Sequence, residues 1–166
     1  VIDLVPVANP IGLGQMFQAT HQGRFELGSG KNFNRAFVEL SAPVAALIGE
    51  RLGTDAEANI ALIRQTMVQV FDDLPAPASQ LEALHRLLLR HACDADITLD
   101  LHCDFEAAIH LYALPQHWPQ WQSLAARLKA GVALLCEDSG GSSFDESCST
   151  PWLRLARAFP NAAIPP

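Results

Sequence analysis

The stretch Leu99-Asp100-Leu101-His102-Cys103-Asp104, LDLHCD, follows an apolar, β-prone run and predicts a buried central strand over residues 97–102. A histidine at a strand end is a candidate metal ligand, because α/β sheets place ligand sites at the carboxyl ends of their strands. Asp100 lies on the same face as His102 and could hold its second ring nitrogen, and Asp104 is the other candidate partner. The alternative is a histidine that is hydrogen-bonded in the core.

Further strands and helices surround this segment. Asn9-Pro10 ends the first predicted strand. A capping box at Thr54–Glu57 and a cap at Ser79 begin two helices, Gly131 ends another, and Thr150-Pro151 begins the last. The predicted strands cover 1–8, 97–102, 107–113 and 132–136, and the predicted helices cover 41–52, 54–71, 79–91, 118–130 and 150–159. Strands that alternate with helices predict one α/β domain over 1–166 with a mixed, largely parallel sheet.

Composition narrows the class of protein. Hydrophobic residues make up 49% of the 166 residues and charged residues 17%, which indicates a folded chain. The net charge of -7 and the lack of a basic cluster argue against nucleic-acid and membrane partners. The four cysteines form no CxxC pair, which favours a cytoplasmic location.

Two loops carry polar residues that could bind a ligand. Residues 9–35 are glycine-rich and end in Asn34-Arg35, and an arginine fork beside an asparagine amide suits a carboxylate. Arg24 in the same loop could neutralise charge on a reacting oxygen. The alternatives are a loop-stabilising Arg35 and a solvated Arg24. The second loop, residues 138–149, is predicted to be either a lid or a solvated connection.

Taken in order, VPVANPIG, QGRF, GKNFNRAF and DLHCD resemble the succinylglutamate desuccinylase/aspartoacylase family of the zinc carboxypeptidase-like superfamily. The resemblance runs from Val5 to about Tyr112. It implies a zinc-carboxypeptidase-like α/β/α sandwich and attack on an amide by zinc-activated water. It also implies that His102 is a Zn²⁺ ligand, that Asn34 and Arg35 grip the free carboxylate of the substrate, and that Arg24 stabilises the oxyanion.

Two motifs of that family are not among these residues. The family's other zinc ligands come from a His-x-x-Glu motif ahead of the strand that here opens the chain. Its general base is a glutamate in a later strand. We therefore expect 1–166 to be a single, incomplete catalytic domain, inactive by itself. The expected whole is a zinc-dependent hydrolase for an N-acyl amino acid or small peptide-like substrate; the alternative is a non-catalytic carboxylate-binding module of the same fold. The sequence also leaves open whether the protein forms a homo-oligomer.

Other residues make weaker catalytic candidates. Cys103 points to the opposite strand face from His102 and has no nucleophile elbow before it. His85 and His91 do not share a helix face, which disfavours a metal pair. His110 is too far along the chain from His102 to share an ion on one straight strand, and a packed structural role is the better prediction.

Overall fold

The computed structural model describes residues 1–103 and 106–165. Asp104, one of the predicted partners of His102, lies outside the described residues. The helices are α1 Pro10–Leu13, α2 Ser41–Ile48, α3 Ala56–Asp72, α4 Gln80–Ala92, α5 Trp118–Leu128 and α6 Phe144–Ala158. The strands are β1 Met16–Phe17, β2 Thr20–His21, β3 His110–Ala113 and β4 Val132–Leu135, and short 3-10 turns cover Gly49–Arg51 and Pro115–His117.

The helices α2, α3 and α4 confirm three of the predicted helices. Ser79 caps α4 by accepting the amide of Glu82 at 3.1 Å, as expected. The cap of α3 is Asp55 rather than Thr54, because its carboxylate accepts both Glu57 N–H and Ala58 N–H, at 3.0 and 3.2 Å. A carboxylate at this position also interacts favourably with the helix dipole.

The last two helices differ from the prediction at their ends. Helix α6 begins at Phe144, so the predicted loop over 138–149 and the predicted start at Thr150 are wrong. A capping box of Ser143 and Glu146 starts it, and Pro151 lies inside the helix. Helix α5 ends two residues early, because Lys129 adopts the left-handed conformation at φ 55°.

The segment β3–α5–β4 is a βαβ unit. Strands β3 and β4 pair in parallel with His110 opposite Val132 and Ala113 opposite Leu135, and α5 packs against β3. The α/β class predicted from the sequence is thereby confirmed. An antiparallel hairpin of β1 and β2 lies inside the glycine-rich loop.

The predicted strands over 1–8 and 97–102 are not strands in the structure. Their apolar side chains are exposed, as with Ile2 at 94% and Leu101 at 85%. A strand needs a hydrogen-bonding neighbour, and within 1–103 and 106–165 no segment pairs with either of them. His102 consequently follows irregular backbone rather than a strand.

The hydrophobic core lies between α2, α3, α4 and α6. Its fully buried side chains are Leu40, Val44, Ile48, Ile63, Met67, Leu89 and Leu155. The segment of residues 33–37 leads directly into this core, since Phe33 and Phe37 are both buried. In the described part of the chain no helix is long and apolar enough to cross a bilayer.

Candidate active site

The glycine-rich loop is folded around the side chains of Asn9 and Gln15. Asn9 Oδ1 accepts the amide of Gly12 at 2.8 Å, and its Nδ2 donates to the carbonyl of Gly23 at 3.3 Å. Gln15 donates to the carbonyls of Gln22 and Phe25, at 2.7 and 2.8 Å. The side chains of Asn9 and Gln15 therefore hold the backbone on both sides of Arg24 in place.

Arg24 and Phe33 lie at the two ends of a loop that is closed by an antiparallel bridge between Phe25 and Asn32. The carbonyl of Arg24 accepts Phe33 N–H at 3.1 Å. The guanidinium is exposed and lies 5.7 Å from the centroid of the Phe25 ring, a weak cation–π contact. The backbone of Arg24 therefore lies next to Phe33, the residue that precedes Asn34.

Asn34 contacts the first turn of α6, and Arg35 follows it in the chain. Asn34 Oδ1 accepts Phe144 N–H at 2.8 Å. Arg35 is exposed and its Nη1 donates to the carbonyl of Asn34 at 2.6 Å. A helix N-terminus has unpaired amides, so this contact uses one of them to fix the Asn34 side chain.

Residues on both sides of Asn34-Arg35 anchor the segment to the core. His85 of α4 donates from Nε2 to the carbonyl of Phe33 at 2.7 Å, and its ring stacks on Phe37 with centroids 4.0 Å apart. Burial lowers the pKa of His85, which favours the neutral imidazole. The amide of Ala36 donates to Gly141 at 2.7 Å and that of Phe37 to Ser142 at 3.2 Å.

Sequence reasoning missed these anchoring residues. It weighed His85 only as a metal ligand and residues 138–142 only as a lid or connection. The available signal was the pair of phenylalanines that flank Asn34-Arg35, which indicates a segment pinned at both ends.

His102 pairs with Asp100. His102 Nε2 and Asp100 Oδ2 are 2.7 Å apart, and the side chains are 56% and 24% exposed. Burial, followed by the charges of Cys93, Asp100 and Asp145, raises the pKa of the Cys148 thiol in α6. A carboxylate on one imidazole nitrogen is the usual outer partner of a metal-bound histidine.

Three of the four predicted site residues are connected through the backbone. The hydrogen bond between the Arg24 carbonyl and Phe33 N–H links Arg24 to the segment of Asn34 and Arg35, and Asn34 contacts the first turn of α6. In the part of the chain that the structure describes, His102 makes no hydrogen bond to Arg24, Asn34 or Arg35. Across the same residues, no cluster of three or more His, Cys, Asp or Glu side chains is placed to hold a metal.

The fold of this chain is similar to that of solved structures. No protein-family profile matches the chain, and no curated protein matches it. One solved structure from Shewanella amazonensis SB2B superposes with a TM-score of 0.78 and 28% identity, over 92% of this chain and 42% of that one. Another from Shewanella frigidimarina NCIMB 400 has a TM-score of 0.75 and 26% identity, over 92% of this chain and 41% of that one.

Both structures are of proteins named for the succinylglutamate desuccinylase/aspartoacylase family. The resemblance predicted from the motifs is thus confirmed, and with it the α/β fold of that family. The chain spans about two fifths of the length of the solved structures it matches, at 42% and 41%.

Proposed function

We propose that this chain forms part of a zinc-dependent hydrolase that cleaves the amide of an N-acyl amino acid or a small peptide-like substrate with a free carboxylate. The observation that carries the proposal is the 2.7 Å contact between His102 Nε2 and Asp100 Oδ2, in a chain with the fold of a deacylase family. The proposal includes a cytoplasmic location, which suits the four free thiols Cys93, Cys103, Cys136 and Cys148.

The residues present could supply one ligand of a zinc site, His102, together with its hydrogen-bond partner Asp100. Asp100 would hold one imidazole nitrogen and fix the tautomer, while the metal binds to the other. As the resemblance implies, the remaining ligands and the general base would come from outside these 166 residues. Zinc, when bound, would lower the pKa of a water molecule and polarise the scissile carbonyl.

The other predicted site residues would bind and orient the substrate. The Arg35 guanidinium and the Asn34 amide would bind the free carboxylate, because both offer N–H donors near one backbone segment. Arg24 would lie beside the scissile carbonyl, where its charge stabilises the oxyanion as negative charge develops. The hydrogen bonds that hold residues 33–37 keep these donors in place before the substrate arrives.

Elemental analysis of zinc tests the proposal. It should be run on the 166-residue chain and on the full product of its gene, each with a His102→Ala variant. His91→Ala is the matched control, because the His91 side chain is 57% exposed against 56% for His102. About one zinc per full product, lost with His102→Ala but not with His91→Ala, supports the proposal. Zinc that survives His102→Ala would overturn the assignment of His102 as a ligand. No zinc in the full product would overturn the whole proposal and favour the carboxylate-binding module.

A further inference from the structure

The loop of residues 139–142 makes an unusually tight turn before α6. Gly140, Gly141 and Ser142 all have positive φ, at 84°, 95° and 50°. Gly140 N–H donates to Asp138 Oδ1 at 2.9 Å, and Ser139 N–H donates to the Glu146 carboxylate. These bonds hold the loop closed against the helix it precedes.

The backbone of Gly141 lies against the side chain of Arg35. A Cβ built on Gly141 would lie 2.8 Å from Arg35 Cδ, which is closer than real Cβ atoms come to another atom, and 3.2 Å from its Nε. The carbonyl of Gly141 meanwhile accepts Ala36 N–H at 2.7 Å, so the glycine cannot move away without losing that bond. The side chain of Arg35 therefore packs directly against the backbone of Gly141.

The next residues of the same segment orient the Asn34 amide. Phe144 N–H donates to Asn34 Oδ1, so the amide oxygen faces α6. The NH₂ group at the other end of that amide consequently points away from the helix terminus. An amide held this way turns its two N–H donors away from the helix, where they suit a carboxylate.

We propose that residues 139–144 position the side chains that recognise a carboxylate. In this element, Gly141 fixes the direction of the Arg35 side chain, and the backbone amide of Phe144 fixes the orientation of the Asn34 side-chain amide. This inference rests on the proposed function, in which Asn34 and Arg35 bind the carboxylate. Four of the six backbone amides of this element, at Ser139, Gly140, Ser143 and Phe144, already donate to side chains, so we assign the binding of the anion to Asn34 and Arg35.

The chain offers a matched pair of glycines for the test. Gly140 and Gly141 both have positive φ, so an alanine at either position carries backbone strain. A Cβ at Gly140 meets no atom within 4 Å, whereas one at Gly141 meets Arg35. Gly141→Ala and Gly140→Ala should therefore destabilise the fold to a similar degree, and only Gly141→Ala should disturb Arg35.

The first readout is the arginine Nε–Hε NMR signal of Arg35, assigned with Arg35→Lys. Gly141→Ala should shift this signal and speed its hydrogen exchange, and Gly140→Ala should leave it unchanged. An unchanged signal in Gly141→Ala, or equal changes in both variants, would overturn the proposal. This readout needs no ligand, so its result is independent of whether the proposed function is correct.

The second readout is the Kd for N-acetyl-L-alanine, N-acetyl-L-aspartate and N-acetyl-L-glutamate, measured by calorimetry on the full gene product. Gly141→Ala should raise Kd about tenfold relative to Gly140→Ala, since small displacements of a binding group cost that much or more. The same substitution in an Arg35→Lys background should cost less, because both changes act through one side chain. A shifted Arg35 signal with no binding in the wild type would refute the proposed function and leave the positioning intact.

A folding failure of Gly141→Ala is also informative. Adding Arg35→Ala removes the atoms that the new Cβ would meet. Cooperative melting restored in the double variant would support the contact between residues 141 and 35, and no restoration would count against it.

Discussion

Asn34 performs two tasks that substitution can separate. Its Oδ1 accepts Phe144 N–H at 2.8 Å in the first turn of α6, and its NH₂ group is proposed to bind the carboxylate of the substrate. Asn34→Ala removes both. Loss of a side-chain acceptor at a helix N-terminus costs about 1 kcal/mol. For a chain of this size that free energy corresponds to a fall in Tm of about 2–4 °C.

Asn34→Asp should keep the first task and lose the second. The carboxylate still accepts Phe144 N–H, and its attraction to the helix terminus is worth about 0.3–1 kcal/mol, offset by the acids Asp145 and Glu146 nearby. We expect a Tm within about 2 °C of the wild type. The NH₂ donor is gone and a negative charge faces the ligand, so Kd for an N-acetyl amino acid should rise at least about tenfold.

Circular dichroism melts and calorimetric titrations of the same preparations measure the two effects. Asn161→Asp is the control, because it makes the same change of charge at an exposed position. A wild-type Tm for Asn34→Ala would show that the contact with Phe144 does not support α6. Wild-type affinity for Asn34→Asp would refute the carboxylate role of the amide.

Three further predictions follow from other contacts. Burial lowers the pKa of His85 in the folded chain, so the unfolded chain binds more protons than the folded chain at pH values below the usual 6.5. The free energy of unfolding should therefore fall as the pH drops from 6.5 through the lower pKa of the folded chain, and urea unfolding at several pH values should show a smaller fall for His85→Phe. Asn59 is buried and bonds both Gly53 and the carbonyl of Ala163, so Asn59→Ala should cost about 2–4 kcal/mol in the same unfolding assay, and a loss below 1 kcal/mol would contradict the buried network. Asp100→Asn should weaken zinc binding by the full gene product about 10–100-fold in a chelator competition, whereas unchanged affinity would remove Asp100 as the partner of His102.

Local signals were enough to predict much of the helical part. Ser79 caps α4 as its position before an amphipathic run indicates, and the βαβ unit follows from two short apolar runs on either side of a helix. The missed start of α6 was also locally encoded, since Ser143 and Glu146 have the spacing of a capping box. Pro151 misled the prediction because a proline usually begins a helix rather than lying inside one.

Residue identity and motif order alone determined the class of fold, the family resemblance and the candidate residues Arg24, Asn34, Arg35 and His102. Only the tertiary structure decided how the site is supported. Asn34 meets Phe144 across 110 residues of sequence, and His85 meets Phe33 across 52. Segments 1–8 and 97–102 have the composition of strands but no pairing partner among the described residues. Helix caps and apolar periodicity act over a few neighbouring residues, whereas strand pairing and long-range hydrogen bonds depend on which distant segments the folded chain brings together.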